Sequence, residues 1–344
     1  MGSKLSEQKN TTLADVAKYL NVSKSTVSRA LNGSDDVSAS TIKRVRDASH
    51  KLNYVPNEIA RGLVTKTNKT FAAFIPDILN PYYAELLKVI ETEVNKHGFS
   101  LLLCITEESD EKVEYYIKDM MKRRVSGIFL LSTLVKNLEL FEQLKSSVAL
   151  VDIGSDAEGV DRICHDNKLS TYKIVSYLTS LGHRDIGFIG YKLKEMPSLA
   201  NRLEGYKMAI EESGLEFNPE YVCEAESTNN PGYSNALKLL SLPHPPTAIH
   251  CMNEYIAMGA FIAITEKGLK IPYDISLTAF DDLAISKLMI PRLTTIHVPL
   301  EAIGEAAVEM LVQIVTTGQN KSKRTLMFDF DLVVRDSTAP PNST

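Results

Sequence analysis

The stretch Val22-Ser23-Lys24-Ser25-Thr26-Val27-Ser28-Arg29-Ala30-Leu31-Asn32 has residue types suited to touching a polyanion. Its spacing predicts a short helix with Val27, Ala30 and Leu31 turned inward. Ser23 is placed to cap the first turn, because its hydroxyl can accept the free N–H groups there. Lys24, Ser25, Thr26, Ser28, Arg29 and Asn32 then fall on the other sides. This set is short, polar and cationic, with donors for phosphates and base edges and no bulky apolar residue. An ordinary solvated Ser/Thr-rich helix would look the same, so the surrounding elements have to decide.

A second set of chemically capable residues is spread along the chain. Asp281-Asp282 follows an apolar run, and two adjacent carboxylates bring acid–base catalysis to mind. Adjacent residues after a strand point in different directions, however, and no nucleophile or metal-ligand pattern accompanies them. Cys104, Cys164, Cys223 and Cys251 are far apart and form no CxxC pair, so they read as buried free thiols. No GxGxxG, phosphate-binding loop, GxSxG or HExxH pattern is present, and no enzymatic chemistry has its parts. No metal and no cofactor is expected.

The elements that position the first set are legible nearby. Thr12-Leu13-Ala14-Asp15 fits a capping box. Val16, Ala17 and Leu20 continue a helix with one apolar face, and Asn21-Val22 leaves room only for a tight turn between two packed helices. A third helix is predicted after Val37-Ser38, with Ile42, Val45, Ala48 and Leu52 buried and Lys43, Arg44 and Arg46 exposed. Three helices around Val16, Val27, Val45 and Leu52 make a minimal core with helix-turn-helix geometry, in which the second helix enters the major groove. Charge agrees with this. Of 38 Lys/Arg and 43 Asp/Glu, 12 and 6 fall between Met1 and Lys69, a head of net +6 on a body of net −11. A basic head on an acidic carrier suits a nucleic-acid-binding module.

From Phe71 onward strands and helices alternate. Strands are predicted at Phe71–Ile75, Ser100–Ile105, Gly127–Leu131, Val148–Asp152, Arg162–His165, Ile186–Ile189, Pro245–His250 and Ile275–Phe280, with helices between them. Repeated βα units imply parallel sheets covered on both faces, and their number implies two lobes. The late strand Thr294–Val298 and the helix Leu300–Thr316 are expected to return to the first lobe. Ligands of such sheets bind beyond the carboxyl ends of the strands.

The head resembles the lactose/galactose repressor family through Thr12-Leu13-Ala14-Asp15-Val16-Ala17, the run from Val22 to Gly33, Val37-Ser38 and Leu52-Asn53-Tyr54-Val55-Pro56-Asn57, and the likeness runs on through nearly the whole chain. It implies a dimeric DNA-binding transcriptional regulator, expected to be a repressor, under the control of a small metabolite such as a sugar or sugar derivative. The implied α/β architecture has three parts. A helix-turn-helix domain covers residues 11–55, a hinge helix and linker 56–69, and an effector-binding and dimerisation domain 70–344. The last resembles a periplasmic binding protein, with lobe 1 at about 70–163 and 296–325 and lobe 2 at about 164–295 and 326–338.

Functional residues follow from the same resemblance. Thr12, Leu13, Ser23, Lys24, Ser25, Thr26, Ser28, Arg29, Asn32, Thr41 and Tyr54 are the expected DNA contacts of the head. Asn57, Ala60 and Leu63 belong to the hinge, where the family inserts a Leu into a central base step of the minor groove. A helix of about two turns is marginal in water, so the hinge is expected to order only on DNA. Effector contacts are expected at Asp77, Leu79, Tyr82 and Tyr83 after the first strand. Further contacts are expected at His165, at Arg202 in Asn201-Arg202-Leu203-Glu204, at Asn253, and at Asp281. Leu79 stands where a small polar residue is usual, and Glu254 follows Asn253 where the family has Asp. Alternatives stay open: the tyrosines as packing at a helix start, His165 as a satisfied core histidine, and Arg202 as a surface pair with Glu204 or Glu211. The chain has no Trp, so no indole platform for a sugar exists.

Met1–Thr12 has no apolar segment of a secretory signal, and no run approaches the ~18 apolar residues of a membrane span. A cytoplasmic protein without a membrane partner is therefore expected, and the resemblance implies that it is a homodimer. A regulator activated by a co-repressor or partner protein is the alternative, and a sugar-binding protein without a DNA role is the distant one.

Overall fold

The computed structural model describes residues 11–31, 34, 36–54, 68–155, 157–191, 197–225, 231–318 and 323–342. Within it the chain divides into two compact units, residues 1–68 and 69–344.

Among its described residues the first unit has three helices, α1 (Leu13–Leu20), α2 (Lys24–Leu31) and α3 (Ala39–Lys51). Each begins where the sequence offers a cap. The Thr12 N–H donates to Asp15 Oδ2 at 2.8 Å while the Asp15 N–H donates to Thr12 Oγ1 at 3.3 Å, a complete capping box. The N–H groups of Thr26 and Thr41 donate to the hydroxyls of Ser23 and Ser38 at 3.0 and 3.3 Å. Asn21 ends α1 in the left-handed region at φ 53°, where Asn is tolerated. Val16, Ala17, Val27, Ala30, Val45 and Ala48 are buried, with Leu52 and Tyr54 half-buried at the edge. Leu52 thus closes the rim of the core rather than its centre.

The second unit holds two six-stranded sheets. The first contains β1 (Thr70–Ile75), β2 (Ser100–Ile105), β3 (Gly127–Leu131), β4 (Ala149–Ile153) and β5 (Asp161–His165). Helices α4 (Pro81–Lys96), α5 (Asp110–Arg123) and α6 (Leu138–Ser147) lie between these strands. After α7 (Asn167–Ser180) the chain builds the second sheet from β6 (Ile186–Tyr191), β7 (Val222–Ala225), β8 (Ala248–Cys251), β9 (Ser276–Asp281) and β10 (Thr294–His297). Their connecting helices are α8 (Pro197–Glu212), α9 (Pro231–Leu240), α10 (Glu254–Glu266) and α11 (Ala284–Leu288). Helix α12 (Leu300–Thr317) then leads to the short strands β11 (Thr325–Phe328) and β12 (Asp331–Val333). The strand orders are β11-β5-β4-β3-β1-β2 and β12-β10-β9-β8-β6-β7. All pairs are parallel except β10–β12. Strand β1 is buried along nearly its whole length, as a strand covered on both faces must be.

One expected placement is corrected. The strand at Thr294–His297 stays in the second sheet, where Thr295 and Ile296 pair with Ala279 and Phe280 of β9 and with Val333 and Leu332 of β12. Only the helix returns: α12 packs on α4 and β4 of the first lobe. The chain therefore crosses between lobes three times, after β5, after β10 and between β11 and β12. Strands β7, β11 and β12 and the short helix α11 have no counterpart in the periodicity.

Two features of the second lobe matter for what it carries. Helices α7 and α8 cross so closely that a Cβ on Gly205 would lie 2.1 Å from the Lys168 carbonyl oxygen. Helix α10 opens on Asn253, whose Oδ1 accepts from the Ile256 N–H at 2.9 Å.

Candidate functional site: an exposed helix and a polar cleft

In the head, α2 buries Val27 and Ala30 and leaves Ser23, Lys24, Ser25 and Arg29 exposed, with Thr26 and Ser28 half-buried. Lys43, Arg44 and Arg46 of α3 are exposed as well. Arg29 is not loose. Its Nη1 pairs with Asp36 at 2.6 Å and its Nε donates to the Ser25 carbonyl at 3.4 Å. The hydroxyl of Ser34 and the guanidinium of Arg29 hold the Asp36 carboxyl below its ordinary range. Thr12 and Leu13 start α1, and Thr41 shares its hydroxyl with Ser38 at 2.9 Å. Asn32, Asn57, Ala60 and Leu63 lie outside the described residues.

In the second unit a cleft lies at the carboxyl ends of both sheets. Asp77, Tyr82, Tyr83 and His165 come to it from the first lobe, and Arg202, Asn253 and Asp281 from the second. Seven of the eight residues expected at an effector site thus share one cavity. Leu79 does not: it is 74% exposed and lies outside the lining. Its N–H instead closes a turn on Asp77 Oδ1 at 2.8 Å.

Arg202 is 7% exposed and makes no surface pair. Its Nε donates to Asn167 Oδ1 at 2.7 Å and its Nη1 to the Met252 carbonyl at 2.5 Å, while the guanidinium carbon sits 3.6 Å above the centre of the Phe280 ring. Glu204, the suggested surface partner, pairs with Lys207. Burial works against the Arg202 charge and Asp281 sustains it.

Asp281 ends β9 with φ 115° and Asp282 follows with φ 59°, two consecutive residues in the left-handed half of the map. Such strain persists only where the surroundings impose it. It turns the two carboxylates apart. Asp282 is held by Arg335 and by His297 Nδ1, the latter at 3.0 Å. Asp281 faces the cleft, where burial lifts it to about 7 against the pull of Arg202, with Glu85 adding to the lift. Adjacent acids with separate tasks are not a catalytic pair.

Glu254, the anomalous acid, does not line the cleft. It is fully buried, accepts from the Leu283 N–H at 2.9 Å, and is bound by the hydroxyls of Ser286 and Thr295. It clamps the turn that follows Asp281, a use its longer side chain makes possible. Burial first, then the neighbouring Asp281, raises its pKa to about 8.

Several lining residues were not foreseen. Asn167, Tyr191, Met252 and Tyr255 reach the cleft from strand ends and helix starts of the second lobe, and Glu108 and Ser132 from those of the first. Tyr191 accepts from Asn253 Nδ2 at 3.1 Å, and burial pushes its phenol up to about 12. The usable signal was position: each falls within four residues of the end of a strand. Among the described residues no group of His, Cys, Asp and Glu could hold a metal ion, and no helix is long and apolar enough to cross a membrane.

Residues 12–57 match the family described as bacterial regulatory proteins, lacI family, and residues 175–338 match the periplasmic binding protein-like domain. The HTH-type transcriptional repressor PurR of Pasteurella multocida (strain Pm70) is 34% identical over 329 residues, 95% of this chain and 98% of that protein. The chain belongs to the lacI family. Its structure agrees with that of the lac repressor dimer bound to operator and the anti-inducer ONPF, at a TM-score of 0.86 and 28% identity, covering 96% of this chain and 100% of that one. The transcriptional regulator CelR in complex with cellobiose is also similar, at 26% identity and a TM-score of 0.70, covering 95% of this chain and 100% of that one. This lacI-family chain is a DNA-binding repressor with a helix-turn-helix head and a two-lobed domain through which a small molecule controls it. Relatives of this kind are regulators rather than enzymes.

Proposed function

We propose that the cleft takes a neutral, polyhydroxylated effector, a sugar or sugar derivative, and that its occupancy sets the affinity of the head for an operator. One observation carries this: Arg202 and Asp281 line the same cleft, and among the described residues no hydrogen bond holds the Asp281 carboxylate. A buried acceptor left open beside a buried fork of donors suits a ligand that offers both hydroxyl protons and oxygen lone pairs. Tyr82, Tyr83 and Tyr191 supply apolar faces in place of an indole. CelR, whose structure holds cellobiose, supports the same class.

In this proposal Lys24, Ser25 and Arg29 read base edges from the major groove, and Asn57, Ala60 and Leu63 form the hinge that orders on DNA. The repressor works as a homodimer in the cytoplasm. A seam for the second copy is supported by Leu288 and Ile290, 74% and 88% exposed at the end of α11, and by Leu79 ahead of α4. The Ala284 N–H donates to Glu85 Oε1 at 3.1 Å, joining α11 to α4. Leu79 then belongs to a protein surface and not to the effector.

The test is a thermal-shift panel of sugars, sugar phosphates and nucleobases on the full chain, because a ligand selective for the folded state raises its melting temperature. A sugar is expected to shift the wild type and to lose its effect on Arg202→Ala. A response confined to nucleobases would overturn the ligand class. Gel shifts with the active compound then read the sign of the coupling: release marks an inducer, and tightening marks a co-repressor.

A further inference from the structure

Asn167 opens α7 at the first crossing between the lobes, and its Oδ1 lies between two nitrogens. Arg202 Nε is 2.7 Å from it and His165 Nε2 is also 2.7 Å from it. A guanidinium can only donate, so the Asn167 atom facing it is the oxygen. An imidazole nitrogen facing that same oxygen must then carry the proton. A neutral imidazole has one such proton, which leaves Nδ1 as a bare acceptor.

The ring is kept neutral. Burial and the charge of Arg202 bring His165 down to about 3, against the opposing effects of Asn167 and Asp166. It is also held in place, stacked on Phe330 at 4.3 Å and 22°. Phe330 sits in the third crossing, between β11 and β12, so the stack ties two crossings together. Nδ1 is not sealed in the core. Among the described residues the sealed side-chain atoms without a partner belong to Ser49, Thr171 and His250. The open side of the His165 ring is the cleft, which it lines together with Asn167 and Arg202.

We propose that His165 is a specificity-determining residue of the effector site, a fixed acceptor whose Nδ1 takes a hydrogen bond from an O–H or N–H group of the bound molecule. Asn167 is its positioning residue, locking one tautomer through the charge of Arg202. The proposal rests on the cleft being the effector site. It adds a requirement: the effector must present a donor at this point, and a ligand with only an acceptor there is rejected, because two facing lone pairs leave a buried group unpaired.

Two measurements on the full chain test this. In nitrogen NMR of protein labelled at histidine, the His165 ring, assigned by its loss in His165→Gln, is expected to show only the neutral Nε2–H form from about pH 5 to about pH 8. Asn167→Ala is expected to release the lock and give a mixture of tautomers. An Nδ1–H form in the wild type, or a ring that protonates within that window, would overturn the proposal. The second measurement is calorimetric titration with D-ribose, D-glucose, cellobiose and adenosine. His165→Phe keeps the ring stack and removes the acceptor, so any of these that binds is expected to bind about tenfold more weakly. Undiminished affinity would also overturn it. If none of the four binds the wild type, the sugar reading of the cleft fails by itself, and the tautomer result alone decides whether the acceptor is locked.

Discussion

The helix-turn-helix head leaves the side chains proposed to touch DNA in water, whereas the cleft takes those proposed to touch the effector out of it. Lys24, Ser25 and Arg29 are exposed, and a core of six small and medium apolar residues is enough to hold them. Arg202, Asn253 and Asp281 are buried; the protein answers the hydrogen bonds of Arg202 and Asn253, and the charge of Arg202 answers that of Asp281, whose carboxylate is left open to the cleft. Exposed donors are satisfied by water until a ligand replaces it. Buried ones must be satisfied by the protein or they cost stability, which demands a more exact frame. Substitutions that never touch a ligand should therefore matter more around the cleft than in the head.

The largest effect is expected at Gly205. An added Cβ would meet the Lys168 carbonyl, a backbone atom that cannot swing away. Gly205→Ala forces α8, which carries Arg202, off α7, which carries Asn167. Helix propensity favours Ala by about 1 kcal/mol. Overpacking against backbone costs about 3 kcal/mol and should win. Urea denaturation should show a lower midpoint. An unchanged or raised midpoint would mean the helices part without cost, and the cleft frame would be no stricter than the head's.

Arg29 tests the other side of the comparison. Arg29→Ala is expected to weaken operator binding by about 2 kcal/mol if the guanidinium reads a base and to leave the denaturation midpoint nearly unmoved, since its pair with Asp36 is exposed. An equal loss on scrambled DNA would make it a phosphate contact instead. A large loss of stability would show that the exposed pair helps hold the head together.

How much could be read in advance follows the same division. The caps at Thr12, Ser23 and Ser38 and the apolar spacing of α1 to α3 are local facts, written within four residues of where they act. The alternation of buried strands and helices is local too. What escaped depends on distant partners. Strand β10 belongs to the second sheet because of Ala279 and Val333, which its own composition cannot show. Asn167 matters because Arg202, 35 residues on, donates to it. Leu79 sat in the right motif but points away from the cavity, a matter of turn geometry set by Asp77. Glu254 stood only as a longer acid where the family has Asp, and its distant partners make it a clamp for the Leu283–Ser286 turn.

That clamp gives the smallest effect and the one with the clearest sign. Burial raises both Glu254, to about 8, and Asp281, to about 7. An acid raised in the folded state keeps its proton where the unfolded chain has already released it. Between the ordinary carboxylate range and pH about 8 the folded state thus keeps the protons of these two acids, and their contribution to stability falls as pH rises, levelling off above the folded values. The slope is at most about 1.4 kcal/mol per pH unit for each group. Among the described residues the head shows no counterpart: its acid Asp36 is shifted downward and is exposed. Glu254→Gln replaces the titrating group with a neutral amide that can still accept from the Leu283 N–H and donate to the two hydroxyls. Buried His165 and His250, neutral in the folded chain, act in the opposite direction below about pH 7, so Glu254 is read from the difference: from pH 6 to pH 8.5 the urea midpoint of the wild type should fall relative to that of Glu254→Gln. Equal slopes in the two proteins would mean that Glu254 is charged throughout, and that the turn behind Asp281 is held by an ion rather than by a shared proton.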